Sequence, residues 1–140
     1  MSAEYDFDID GLRQRVEAAT KLREDHVWNF AKLICPDFAK TEKSTALRFR
    51  ALVNANALFE ALAIMLEEHL IAARLDLIQR AKQGWKCQTS QYHHGNALIA
   101  RGFHTDLPAA CLISLLSLQQ QALSRIAPAK IDQATNASKR

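Results

Sequence analysis

Hydrophobic positions recur along this chain at steps of three and four far more often than they alternate. The longest such run lies between Ser44 and Gln83, where forty residues pass without a glycine or proline. Leu52, Ala55, Phe59, Leu62, Leu66, Leu70, Ala73 and Leu77 trace one face of a helix. Phe49, Val53, Ile64, Ile71, Leu75 and Ile78 trace the opposite side, and Leu58 and Met65 point in a third direction. The pattern predicts a central helix over 44–83 with neighbours on several sides. Unbroken, it would span about 60 Å, whereas a compact chain of this length is only about 37 Å across. The helix therefore bends, or it projects and meets a second subunit. Asn54-Ala55-Asn56 is its softest point, because asparagine is a poor interior helix former.

The same periodicity predicts a first helix over 9–34, with Leu12, Val16, Ala19, Leu22, Val27, Phe30 and Ile34 on its inner arc and Cys35-Pro36 ending it. A third is predicted over 106–126. Asp106 caps it, Pro108 sits in its first turn, and Pro128 stops it. Ala110, Ser114, Ser117, Gln121 and Ser124 form a stripe of mostly small residues along it, suited either to the polar side of an internal helix or to close approach by a helix of another subunit. Between the second and third helices, residues 85–104 lose the helical period. Trp85 to Tyr92, a turn at His93-His94-Gly95-Asn96, and Ala97 to His104 fit a small β-hairpin; a loop with a short helix is the alternative. The expected fold is an all-α, single-domain helical bundle. Residues 1–8 are expected to form a flexible acidic lead-in, 9–127 the helical domain and 128–140 a flexible basic tail.

Composition changes this picture little. The 140 residues are 49% hydrophobic and 24% charged, ordinary for a globular domain. The acidic N-terminus lacks an apolar leader, and three cysteines without paired spacing suit a reducing compartment, so a cytoplasmic location is expected. The longest charge-free run, 107–124, carries serines and glutamines and is too polar to span a membrane.

Charge distribution adds more. The first ten residues carry four acids and no base. The remainder, with 18 bases and 11 acids, therefore carries +7 out of a net +3. From Leu77 to Thr105 there is no acidic residue. Arg80, Lys82, Trp85, Lys86, Tyr92, His93, His94 and Arg101 lie in this stretch, combining cations for phosphate with aromatic faces for bases. They are the candidate nucleic-acid contacts; the competing explanation is a solvated helix end with Trp85 plugging the core.

Trp28 falls opposite the apolar arc of its helix, among Lys21, Glu24, Asp25 and Lys32, which marks Trp28, Lys21 and Lys32 as candidate contacts for a protein partner. Cys87, His93, His94, His104 and Cys111 lie close in sequence but lack the short ligand spacings of a zinc site. Asn56, Glu60, Glu67 and Arg74 would share a polar side of the central helix, and His26 and His69 would border the core. Phosphate loops, serine elbows and metalloprotease motifs are missing from the sequence. No cofactor, metal or membrane is expected as a partner. The expectation is a non-enzymatic, self-associating accessory protein that binds a protein partner, with contact to nucleic acid through 77–105 as the alternative and a metal-binding regulatory protein as a weaker one.

Overall fold

The computed structural model describes residues 2–36, 43–67, 73–93 and 95–139. Its order is α1 (Ser2–Ala18), α2 (Glu24–Ile34), α3 (Ser44–Asn54), α4 (Leu58–Glu67), β1 (Arg74–Ala81), β2 (Gly84–His93), β3 (Asn96–His104) and α5 (Leu107–Lys139). The all-α bundle is thus corrected: among the described residues, five helices accompany a three-stranded antiparallel sheet.

Each predicted helix departs from its expected bounds for a local reason. The first divides after Ala18. Leu22 is buried in the link, and its N–H donates to the Asp106 carboxylate at 2.9 Å, which ties the link to the start of α5. The second divides at the asparagines. Asn56 takes φ 60°, its N–H donates to the Val53 carbonyl (2.9 Å), and the Ala57 N–H reaches back to Leu52 (2.8 Å). This is a Schellman stop with asparagine in the left-handed position usually held by glycine. The far end of that predicted helix is the strand β1. Its sequence, Arg-Leu-Asp-Leu-Ile-Gln-Arg-Ala, consists largely of good helix formers, and pairing with β2 overrides them. The third helix begins at Leu107, capped by the Asp106 carboxylate at the Ala109 N–H (3.3 Å). It continues through Pro128, because an internal proline removes one hydrogen bond and bends a helix without forbidding it.

Of the two readings left open for 85–104, the hairpin is the one present, and β1 extends it to the order β1-β2-β3. Ala81 pairs with Gly84 across a two-residue turn, and Gly95, at φ 80°, lies in the turn between His93 and Asn96. A bulge between Leu75 and Leu77 puts Asp76 out of register.

The α5 helix lies across one face of β2 and β3, and α1 packs along α5. Cys87, Thr89, Leu98, Ala100 and Gly102 face it and are buried. Its small-residue stripe allows close approach, but to a strand of its own chain. A Cβ at Gly102 would collide with the Ala110 carbonyl oxygen and lie 2.6 Å from the Ser114 nitrogen. Ser114 is fully buried; its hydroxyl lies within hydrogen-bond reach of the Ala100 carbonyl (3.2 Å) and of the Thr89 hydroxyl (2.6 Å), and Thr89 also reaches the Ser114 carbonyl (3.3 Å). A core led by Phe30, Phe49, Leu62, Met65, Leu112 and Leu116 joins the helices behind α5.

Candidate nucleic-acid interface

Antiparallel pairing places directly opposed residues on the same face of a sheet. Gln79, Lys86 and Phe103 therefore form one cross-strand row on the face turned away from α5. Leu77, Gln88 and Arg101 form the next, Arg74, Ser90 and Ile99 the third, and Tyr92 and Ala97 the last. Tyr92 is 76% exposed, Phe103 61% and Ile99 46%. At about 3.4 Å per residue, Phe103 and Tyr92 stand roughly 20 Å apart at opposite ends, with Lys86 and Arg101 toward the Phe103 end. Arg101 Nε donates to Gln88 Oε1 across the strand pair (3.1 Å). None of the residues in these rows is acidic. Asp76 lies in the bulge, 3.6 Å from the Arg74 guanidinium.

Two shallow clefts flank the face. One, of about 520 Å³, lies at the Tyr92 end between β2 and the end of α4, with Leu66, Ala73, Arg74 and Glu67 in its walls. The other, of about 610 Å³, is more polar and runs along the outer edge of β3. There Arg13 and Arg101 face Ser117, Gln120 and Gln121. Arg13 is held to Asp10 at 3.3 Å, and Gln120 donates to the same carboxylate.

This arrangement divides the predicted contacts. Lys86, Tyr92 and Arg101 share the outer face. Arg80 and Trp85 pair on the opposite face, the guanidinium carbon 4.8 Å from the ring centroid, and Trp85 is half-buried against the core. Lys82 is exposed in the β1–β2 turn and His93 closes β2; His94 and His69 lie outside the described residues. Trp28 is half-buried and stacks edge-on against Phe49 (centroids 5.4 Å apart), so α3 already covers part of it, while Lys21 and Lys32 are exposed. The predicted polar stripe is dispersed, with Asn56 in a turn, Glu60 and Glu67 on α4 and Arg74 on β1.

Phe103, Ile99, Leu77, Gln79, Gln88 and Ser90 complete the face and are not among the contacts that the sequence predicts. Their signal is the alternation of Ala97, Ile99, Arg101 and Phe103 with Leu98, Ala100, Gly102 and His104, which identifies two faces only once the hairpin register is known.

The remaining titratable groups serve the fold. Both nitrogens of His104 are engaged: Nδ1 accepts from the Asp106 N–H (2.9 Å), so Nε2–H donates to the Ala19 carbonyl (2.8 Å). His26 Nδ1 accepts the Arg23 N–H at the start of α2 (3.1 Å), and burial lowers its pKa below 6.5. Cys87 and Cys111 meet between β2 and α5 as free thiols. The hydrogen bond with its neighbour, together with burial, pushes Cys111 well above the ordinary thiol value. Among the described residues no three histidines, cysteines or carboxylates are grouped to hold a metal ion, and no helix is long and apolar enough to cross a membrane.

Comparison of the chain with protein-family models, curated proteins and solved structures finds no match.

Proposed function

We propose that this protein is a non-enzymatic binding protein whose outer sheet face takes single-stranded nucleic acid. The carrying observation is the combination of two widely exposed aromatics, Tyr92 and Phe103, with Lys86 and Arg101 on a face whose paired rows contain no acid. Exposed bases stack on aromatic side chains at about 1–3 kcal/mol each, and phosphates are attracted by the cations between them. Gln79, Gln88 and Ser90 supply hydrogen bonds to base edges. A flat sheet suits an unpaired strand better than a duplex, whose bases are already stacked on one another.

The test is fluorescence anisotropy of labelled oligothymidylate and oligouridylate titrated with the protein over a range of salt. Binding should weaken steeply with salt. Phe103→Ala should cost about 5- to 150-fold in affinity, the equivalent of one stacked base. Removing Lys86 and Arg101 together should flatten the log–log salt dependence by about 0.7 for each phosphate that is no longer neutralised. Absence of binding at low salt would refute the proposal. The face would then fit the other expectation, docking of a protein partner, for which the exposed Leu77, Ile99 and Phe103 are the anchors.

A further inference from the structure

Three elements wall the polar cleft at the outer edge of β3. Arg13 comes from α1, Arg101 from β3, and Ser117, Gln120, Gln121 and Ser124 from α5. These six of the eight lining side chains carry hydrogen-bond donors, two of them are guanidiniums, and none of the eight is acidic. Asp10 supports the wall without lining it. Its carboxylate accepts from Arg13 Nη2 (3.3 Å), Gln14 Nε2 (2.9 Å) and Gln120 Nε2 (3.1 Å), which orients Arg13 and Gln120. Arg13 Nε is buried without a hydrogen-bond partner, although a guanidinium has five N–H donors to satisfy. Arg101 gives its Nε to the neutral Gln88, and no ion pair among the described residues offsets its charge. The fold thus holds two guanidiniums at one cleft and leaves donors of both unused.

We propose that this cleft is a phosphate-binding subsite, with the oxyanion held between Arg13 and Arg101 and hydrogen-bonded by the hydroxyls and amides of α5. Donors that arrive from three elements suit a tetrahedral group with three strong acceptor oxygens better than a planar carboxylate with two. The volume of about 610 Å³ exceeds a single phosphate and leaves room for an attached sugar. Two sources carry such a group. One is a free nucleotide. The other is the backbone of the strand proposed for the outer face, because Ile99 and Arg101 belong both to that face and to the cleft. The subsite does not require that the aromatic face take bases.

Two titrations test it: uridine monophosphate against uridine, followed by calorimetry, and labelled oligouridylate, followed by anisotropy. Both are repeated with Arg13→Gln, which keeps a donor for Asp10, and with Ser124→Glu, which adds a negative charge at an exposed position of the wall and leaves the core untouched. A free-nucleotide site gives saturable binding of the monophosphate, none of uridine, and a loss of about tenfold or more in each variant. A backbone subsite leaves the monophosphate silent and gives the same loss for oligouridylate in both variants. Monophosphate binding that uridine matches, or that neither variant weakens, overturns the proposal. So does oligouridylate binding that falls with Phe103→Ala and with neither cleft variant, a result that leaves the outer face standing. Monophosphate binding that depends on Arg13, with no binding of oligouridylate, upholds the cleft and refutes the face. Absence of all binding at low salt overturns both.

Discussion

The two faces of the sheet are built from the same three strands and meet opposite demands. On the inner face, side chains shrink toward nothing. Ala100 and Gly102 let α5 approach the backbone of β3, and the polar cluster of Thr89 with Ser114 is internally satisfied. On the outer face, alternate residues of the same strands are large and exposed: Ile99, Phe103 and Tyr92, with Arg101 and the half-buried Lys86 toward the Phe103 end. Packing against α5 explains the inner residues of β2 and β3 that are buried, and none of these outer ones. Protein surfaces ordinarily scatter exposed apolar residues singly, so aromatics and cations collected on one flat face point to a ligand. Inner changes should therefore act on stability, and outer changes on binding.

The largest expected effect is on the inner face. Gly102→Val places side-chain carbon where the α5 backbone lies and should destabilise the fold by about 3 kcal/mol, measured by chemical denaturation. Loss of less than a third of that would mean that α5 does not lie as close as described. Next is Ser114→Ala. It removes the hydroxyl that bonds the Ala100 carbonyl and Thr89, leaving Thr89 only its longer bond to the residue-114 carbonyl (3.3 Å), and should cost about 1–3 kcal/mol because buried polar groups lose a partner. Converting Thr89 to Val in the same background should recover part of this.

Protonation tests the helical layer away from both faces. Burial lowers the folded-state pKa of His26, and its Nδ1 must stay unprotonated to accept the Arg23 N–H. The unfolded chain then binds more protons in the window below about 6.5. The His26 contribution is complete above that pH and is lost as pH falls through the window toward the lower folded value. Denaturation midpoints measured across this range should decline toward acid, and His26→Gln should shallow the decline. An unchanged slope would remove His26 as its source. The smallest expected effect is on stability from the outer face: Phe103→Ala should move the unfolding free energy by no more than about 0.5 kcal/mol. A large loss would make Phe103 a packing residue and erase the distinction between the faces.

The helical half of the fold is largely legible in the sequence. Spacing alone assigns Leu12, Val16, Val27 and Phe30 to the inner arc, and they are buried; the weak point at Asn54–Asn56 is where the chain turns. The misleading element is β1. Leu75, Leu77 and Ile78 suit a helix as well as a strand, and only long-range pairing with 84–93 decides between them. With β1 hidden, the register is hidden too. The acid-free stretch is visible as a composition, but not its division into two faces. Trp85 and Arg80 therefore look equivalent to Lys86 and Tyr92 in the sequence, although they lie on the other side of the sheet. Trp28 looks isolated on a charged helix face because its neighbour Phe49 belongs to a different helix.

The most direct measurement of the outer-face assignment is an amide chemical-shift map of the isotopically labelled protein titrated with a short single-stranded oligonucleotide. Shifts concentrated in β1–β3 around Lys86, Gln88, Arg101 and Phe103, leaving α2, α3 and α4 unmoved, are the predicted result. No shifts at low salt, or shifts confined to the helices behind α5, would contradict the assignment.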